Sequence, residues 1–177
     1  VTQSYLRCEA LLGNTSNLTF YTLVNEQIVS PTEKRLGLSD AFTITAMSVM
    51  IYKKFTATPA STRVLDTFPN PNVFVGPGEA DALMGIYNGF FSARVGSVVY
   101  LDSFDCYRFY RVSEAQEGLV VSTALTQNFY NRSGYNGGDY PFYGLTPSIR
   151  ISGATKNELQ ITLPENANMT APAGSQN

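Results

Sequence analysis

The chain has 177 residues, a net charge of −2, no histidine, and only 15% charged residues, against about 25% in an average soluble domain. Such a balance leaves no electrostatic footprint for nucleic acid or an anionic membrane surface. The absent imidazole removes the Ser-His-Asp triad, the Cys-His pair and every His-ligated metal site. No apolar run approaches the ~20 residues that span a bilayer, so no transmembrane segment is expected, and the opening VTQSYLRCEA does not read as a signal peptide.

Phe and Tyr number 11 each and Val, Ile and Thr are abundant, a composition suited to pleated, half-buried surfaces. Residues 4–12 and 17–24 read as short strands separated by the turn cluster Gly13-Asn14-Thr15-Ser16. A polar stretch, SPTEKRLGLSDAF, precedes the longest strand candidate, AFTITAMSVMIY at 41–52. There Phe42, Ile44 and Ala46 share one face, and Lys53-Lys54 mark where the strand emerges. In FPNPN each proline forces its predecessor out of the α region, which predicts a rigid extended crossover. One helix is predicted over about 79–88. Ala80, Leu83, Met84 and Tyr87 form an apolar stripe, Glu79 and Asp81 occupy the first turn, and Asn88-Gly89 supplies a left-handed stop. Strand-sized pieces return in FFSARV, SVVYLDSF, CYRFYRV and GLVVSTAL. PSIRIS and NELQITLP then read as a closing pair around Gly153-Ala154-Thr155-Lys156. The expectation is an all-β fold: one sandwich domain at 1–163 with a short helix, and an extended tail at 164–177.

Little chemistry remains after the histidines are gone. The two cysteines, Cys8 and Cys106, allow one disulfide at most, and two buried free thiols is the plainer reading. No phosphate-cradling glycine loop follows a strand. Asp102, Asp105, Glu114 and Glu117 could in principle supply a glycosidase pair, but the first two point to opposite faces of a strand and the others bracket a polar turn. Asp139 alone is too few acids for calcium. Asn-X-Ser/Thr triplets begin at Asn14, Asn17, Asn131 and Asn168, close to the number chance would give. The sequence therefore predicts no catalytic residue, no metal and no cofactor: the chain is not expected to be an enzyme.

Residues 126–147, TQNFYNRSGYNGGDYPFYGLTP, show no period. A long connection within a compact domain is usually functional or disordered, and disordered stretches are poor in aromatics. Tyr with Gly and Asn is the composition of recognition surfaces, because Tyr offers large contact area at low entropic cost. Tyr135, Tyr140, Phe142 and Tyr143 are thus candidates for contact with another subunit, with burial against the chain's own core or stacking on sugar rings as the other readings.

The order of PTEKRLGLSDAF, LDTFPNPNVF, EADALMGIYNGFFS and ISGATKNELQITLP before a soft tail resembles small virion proteins of bacteriophages, particularly phages and prophages of Bacteroidetes-type hosts. The resemblance covers roughly residues 30–165. It implies a jelly-roll-like β-sandwich and a capsid or capsid-associated subunit, assembled in the host cytoplasm and found in the virion. Its implied partners are copies of itself (a homo-oligomer) and other virion proteins, with no direct nucleic-acid binding. The alternative is a carbohydrate-binding sandwich or adhesin head, whose partner would be a glycan.

Overall fold

The structure, a computed structural model, describes residues 2–55, 65–70, 73–74, 76–112, 141–164 and 175–176. It is all-β with one short helix. Chain order runs β1 (Asn17–Phe20), β2 (Ala41–Met47), β3 (Lys54–Phe55), α1 (Glu79–Tyr87), β4 (Phe90–Val95), β5 (Val98–Asp105), a 3-10 helix (Cys106–Phe109), β6 (Tyr143–Ser152), β7 (Asn157–Thr162) and β8 (Ser175–Gln176). A four-stranded antiparallel sheet has the order β1-β7-β4-β5; β2 pairs with β6 and β3 with β8, also antiparallel. Leu18, Phe91, Ala93 and Ile161 from the larger sheet and Ile149 and Ile151 from the β2–β6 pair meet in one buried cluster. Among the described residues no helix is long and apolar enough to cross a membrane.

Alternation explains the strands that form. Phe42 and Ile44 turn inward on β2 while Ala41, Thr43 and Thr45 face out, the period-2 pattern of a half-buried strand. Both predicted closing strands form, but they do not pair with each other. β6 pairs with β2, whereas β7 lies between β1 and β4, so the turn at 153–156 carries the chain from one sheet to the other. Gly153 permits that crossing: a Cβ there would run into the Gly37 carbonyl and the Leu38 backbone.

Other expectations need correction. Residues 4–12 form no strand; Arg7 alone bridges to Lys34 through their backbone groups, and side chains hold the rest. CYRF is a turn of 3-10 helix, because the Asp105 side chain accepts the Tyr107 N–H and bends the chain out of the sheet. Pro71 and Asn72 of FPNPN lie outside the described residues; beside them the Asn70 carbonyl accepts from both the Val73 and the Phe74 N–H. Lys53 does not mark an emergence. It is buried, ion-paired to Glu79 at 2.6 Å, and that carboxylate also accepts the Gly76 N–H. Because Glu79 turns inward to meet Lys53, α1 buries Ile86 beside the predicted Leu83 and Tyr87, while Ala80 and Met84 are only half-buried. Asn88, which caps α1, is right-handed; the left-handed residue beside α1 is Gly78, before the helix. Both thiols are free. Burial pushes Cys8 up to about 11 and Cys106 up to about 12, so neither is a thiolate nucleophile at neutral pH.

A polar clasp closes the N-terminal flank. Glu9 accepts from Arg7 at 2.7 Å, from the Thr32 hydroxyl at 2.6 Å and from the Tyr52 hydroxyl. Glu33 takes both its bonds to Arg35 at 2.8 Å and accepts the backbone N–H groups of Glu9, Val29 and Ser30. Burial by itself would raise both carboxyls. Hydrogen bonds outweigh it, from Thr32, Tyr52 and Arg7 at Glu9 and from Arg35 and the three amides at Glu33, and hold both below the ordinary glutamate value.

Candidate functional site

The opposite flank, built from β5, the 3-10 helix and the start of β6, is aromatic. Two irregularities shape it. β5 carries two extra residues relative to β4: the register slips between Phe91 and Ala93 and again between Ala93 and Arg94. Ser103, at φ 52, sits in the first slip and Tyr100 in the second. Non-glycine residues seldom adopt such a φ, and a bulge of this kind re-aims the side chains around it. β6 breaks its pairing with β2 between Gly144 and Ile149. Pro147 lies in that gap and has no N–H to give to the ladder.

The two bulges face each other across an open cleft of about 270 Å³ lined by Tyr100, Leu101 and Phe104 from β5 and by Tyr143, Leu145 and Pro147 from β6. Its floor is a ring cluster. Tyr143 meets Phe104 edge-on at 5.5 Å and Phe109 at 6.2 Å, and Phe104 packs on Phe109 at 5.6 Å. Arg108 lies over the Phe104 and Tyr143 rings at 5.5 and 5.9 Å and donates to the Tyr143 hydroxyl at 3.3 Å. The 3-10 helix makes this possible by turning Phe109 fully inward while leaving Tyr107 outside.

Outside the cleft the surface is apolar. β5 forms one edge of the larger sheet among the described residues, and Val98, Val99 and Tyr100 there are 53%, 48% and 41% exposed. Phe90 on β4 and Phe142 just before β6 are also exposed. The charged groups on β5 are Asp102 and Asp105, and Asp105 is engaged as the cap of the 3-10 helix.

The predicted aromatic patch is thus distributed. Tyr143 lies in the cleft floor, half-buried against Phe104 and Phe109. Phe142, its neighbour, faces the space between the sheets. Tyr135 and Tyr140 lie outside the described residues, as do Glu114, Glu117 and Asp139. The sequence reading missed Tyr100, Phe104 and Arg108. Their signal was present in YLDSFDCYRFY, whose aromatic density exceeds what one strand face can bury, and in Asp105 placed two residues before Tyr107 as a turn former. Among the described residues no group of three or more His, Cys, Asp or Glu is placed to hold a metal ion. The flank offers ring faces and edges, one guanidinium and exposed aliphatic area, which is binding chemistry. No protein-family model matches the chain, nor does any curated protein or solved structure.

Proposed function

We propose that this protein is a structural, non-enzymatic subunit of a bacteriophage virion, a capsid or capsid-associated jelly-roll that works by assembling with copies of itself and with other virion proteins. The observation that carries the assembly reading is the edge of β5, where three consecutive large apolar residues stand exposed. A long apolar edge left in water invites aggregation, and natural proteins blunt such edges with charge or cover them. Here the first three residues of β5 carry no charge; its two aspartates, Asp102 and Asp105, come later in the strand. The two bulges take the strand out of regular ladder geometry, so the contact is one of side-chain packing rather than strand addition. A second copy of this chain is the occupant: a net charge of −2 gives little self-repulsion, and area burial repeated by symmetry is how such subunits close. The virion assignment rests on the resemblance in motif order.

The test is the double substitution Val98→Lys plus Val99→Lys. It should lower the oligomeric mass in solution while circular dichroism and the melting temperature stay near the parent's. An unchanged mass would remove this edge from the contact.

The cleft favours a second reading, a glycan-binding module, because Tyr100 and Tyr143 present ring surface beside an arginine. Under it, Tyr100→Ala abolishes retention on a glycan array and leaves the oligomeric mass alone.

A further inference from the structure

A second, larger space lies between the sheets. Its volume is about 640 Å³, and it opens to solvent beside the exposed Tyr5, Leu11 and Phe142. Sites for small organic ligands occupy about 300–1,000 Å³ and are mostly apolar with a few polar groups. The walls fit that description. Leu18, Phe91 and Ile161 line it from the larger sheet, and Phe42, Ile44 and Ile149 from the β2–β6 pair.

The polar groups on this wall are unevenly satisfied. Arg7 and Glu9 both line it and neutralise each other at 2.7 Å. Lys54, half-buried, also lines it, and among the described residues it has no carboxylate partner. Ser48 lines it too, and its buried Oγ has no hydrogen-bond partner among the described groups. Buried hydroxyls are ordinarily paired. Ser48 and Lys54 belong to one run of chain, 48–54, and together offer a hydroxyl and an ammonium beside a mostly apolar space.

We propose that the space between the sheets binds one long-chain carboxylate, its alkyl chain among the apolar side chains and its charged end at Lys54. An uncharged hydrocarbon would leave Ser48 and Lys54 unused, and a compact polar solute would leave the apolar walls unused; an anionic amphiphile uses both. This inference is independent of the assembly reading, since no residue of β5 lines the space.

The test uses the full chain with palmitate as the probe and hexadecanol as its uncharged counterpart, read by native mass spectrometry and by displacement of a fluorescent fatty acid. Palmitate is expected to bind one per chain. Lys54→Gln should weaken palmitate about tenfold, the worth of one charge-assisted contact, and leave hexadecanol unchanged. Ala46→Phe, which puts a ring into the space from β2, should abolish binding of both. Absence of palmitate binding to the parent chain would overturn the proposal. So would equal weakening of both probes by Lys54→Gln, or retained binding in a folded Ala46→Phe variant. If Ala46→Phe does not fold, the Lys54→Gln comparison still decides, because the described fold asks nothing of that ammonium.

Discussion

The two flanks of the molecule are held by opposite means. On the N-terminal flank, charged groups turn inward: Glu33 closes on Arg35 and backbone amides, Glu9 on Arg7 and the Thr32 and Tyr52 hydroxyls, and an irregular segment with a single backbone bridge is fixed without a ladder. On the β5 flank, apolar groups turn outward, with Val98, Val99 and Tyr100 in solvent above a floor of packed rings. A flank closed by its own charges has little left to offer a partner. A flank that spends its rings on the floor and leaves aliphatic and aromatic edge area uncovered is where the proposed contact would form. With few charges in the chain, the clasp takes a good share of them out of the solvent-facing set, which leaves the other flank correspondingly bare.

Substitutions can break this contrast one flank at a time. The largest loss is expected from Phe109→Ala. The side chain is fully buried and touches Phe91, Phe104 and Tyr143, so its removal should cost about 3–5 kcal/mol by denaturant unfolding and take the cleft with it. A loss under about 1 kcal/mol would mean that the ring cluster is not a packed unit. Glu33→Ala attacks the clasp. It orphans the buried Arg35 guanidinium and three backbone donors, and breaking a buried pair from one side costs about 3 kcal/mol. Hydrogen exchange should then quicken at Glu9, Val29 and Ser30 rather than on β5. Quickening confined to β5 would dissolve the distinction between the flanks.

Acid sharpens the same contrast more gently. Glu9 and Glu33 both lie below 4.5, the ordinary value, in the folded chain. A depressed folded value means that the stabilisation is fully present above the unfolded pKa and is lost as pH falls through the folded ones. The unfolding midpoint should therefore hold level above about pH 4.5 and fall below it, with a shallower fall in Glu9→Gln. An equally steep fall in that variant would place the acid response elsewhere. The smallest effect belongs to Lys156→Ala. The Lys156–Glu158 pair has the same 2.6 Å separation as Lys53–Glu79, but its side chains are 76% and 44% exposed rather than 6% and 5%. Its loss should leave the melting temperature where it was, while Lys53→Met should lower it clearly, since Glu79 would be left buried and unpaired.

What the sequence revealed follows from range. Alternation along β2 and β4 is a local signal, and so are the acids and apolar spacing of α1; all are legible because each depends on neighbours within a few residues. Partners are not local. Nothing in ISGATKNELQITLP indicates that its two strands serve different sheets, since that choice depends on Gly153 clearing the backbone at 37–38. Lys53 looked exposed because its partner lies 26 residues on, at the start of α1. The cleft escaped notice because it is made by irregularities, the bulges at Tyr100 and around Pro147, where a periodic reading loses its phase.

The central claim is that the exposed β5 flank is a contact surface between copies of this chain. Its most direct test is the solution mass of the purified protein across a concentration range, by light scattering after size exclusion. The account predicts a defined oligomer that the Val98→Lys plus Val99→Lys variant reduces to monomer. A parent chain that stays strictly monomeric at high concentration would contradict it.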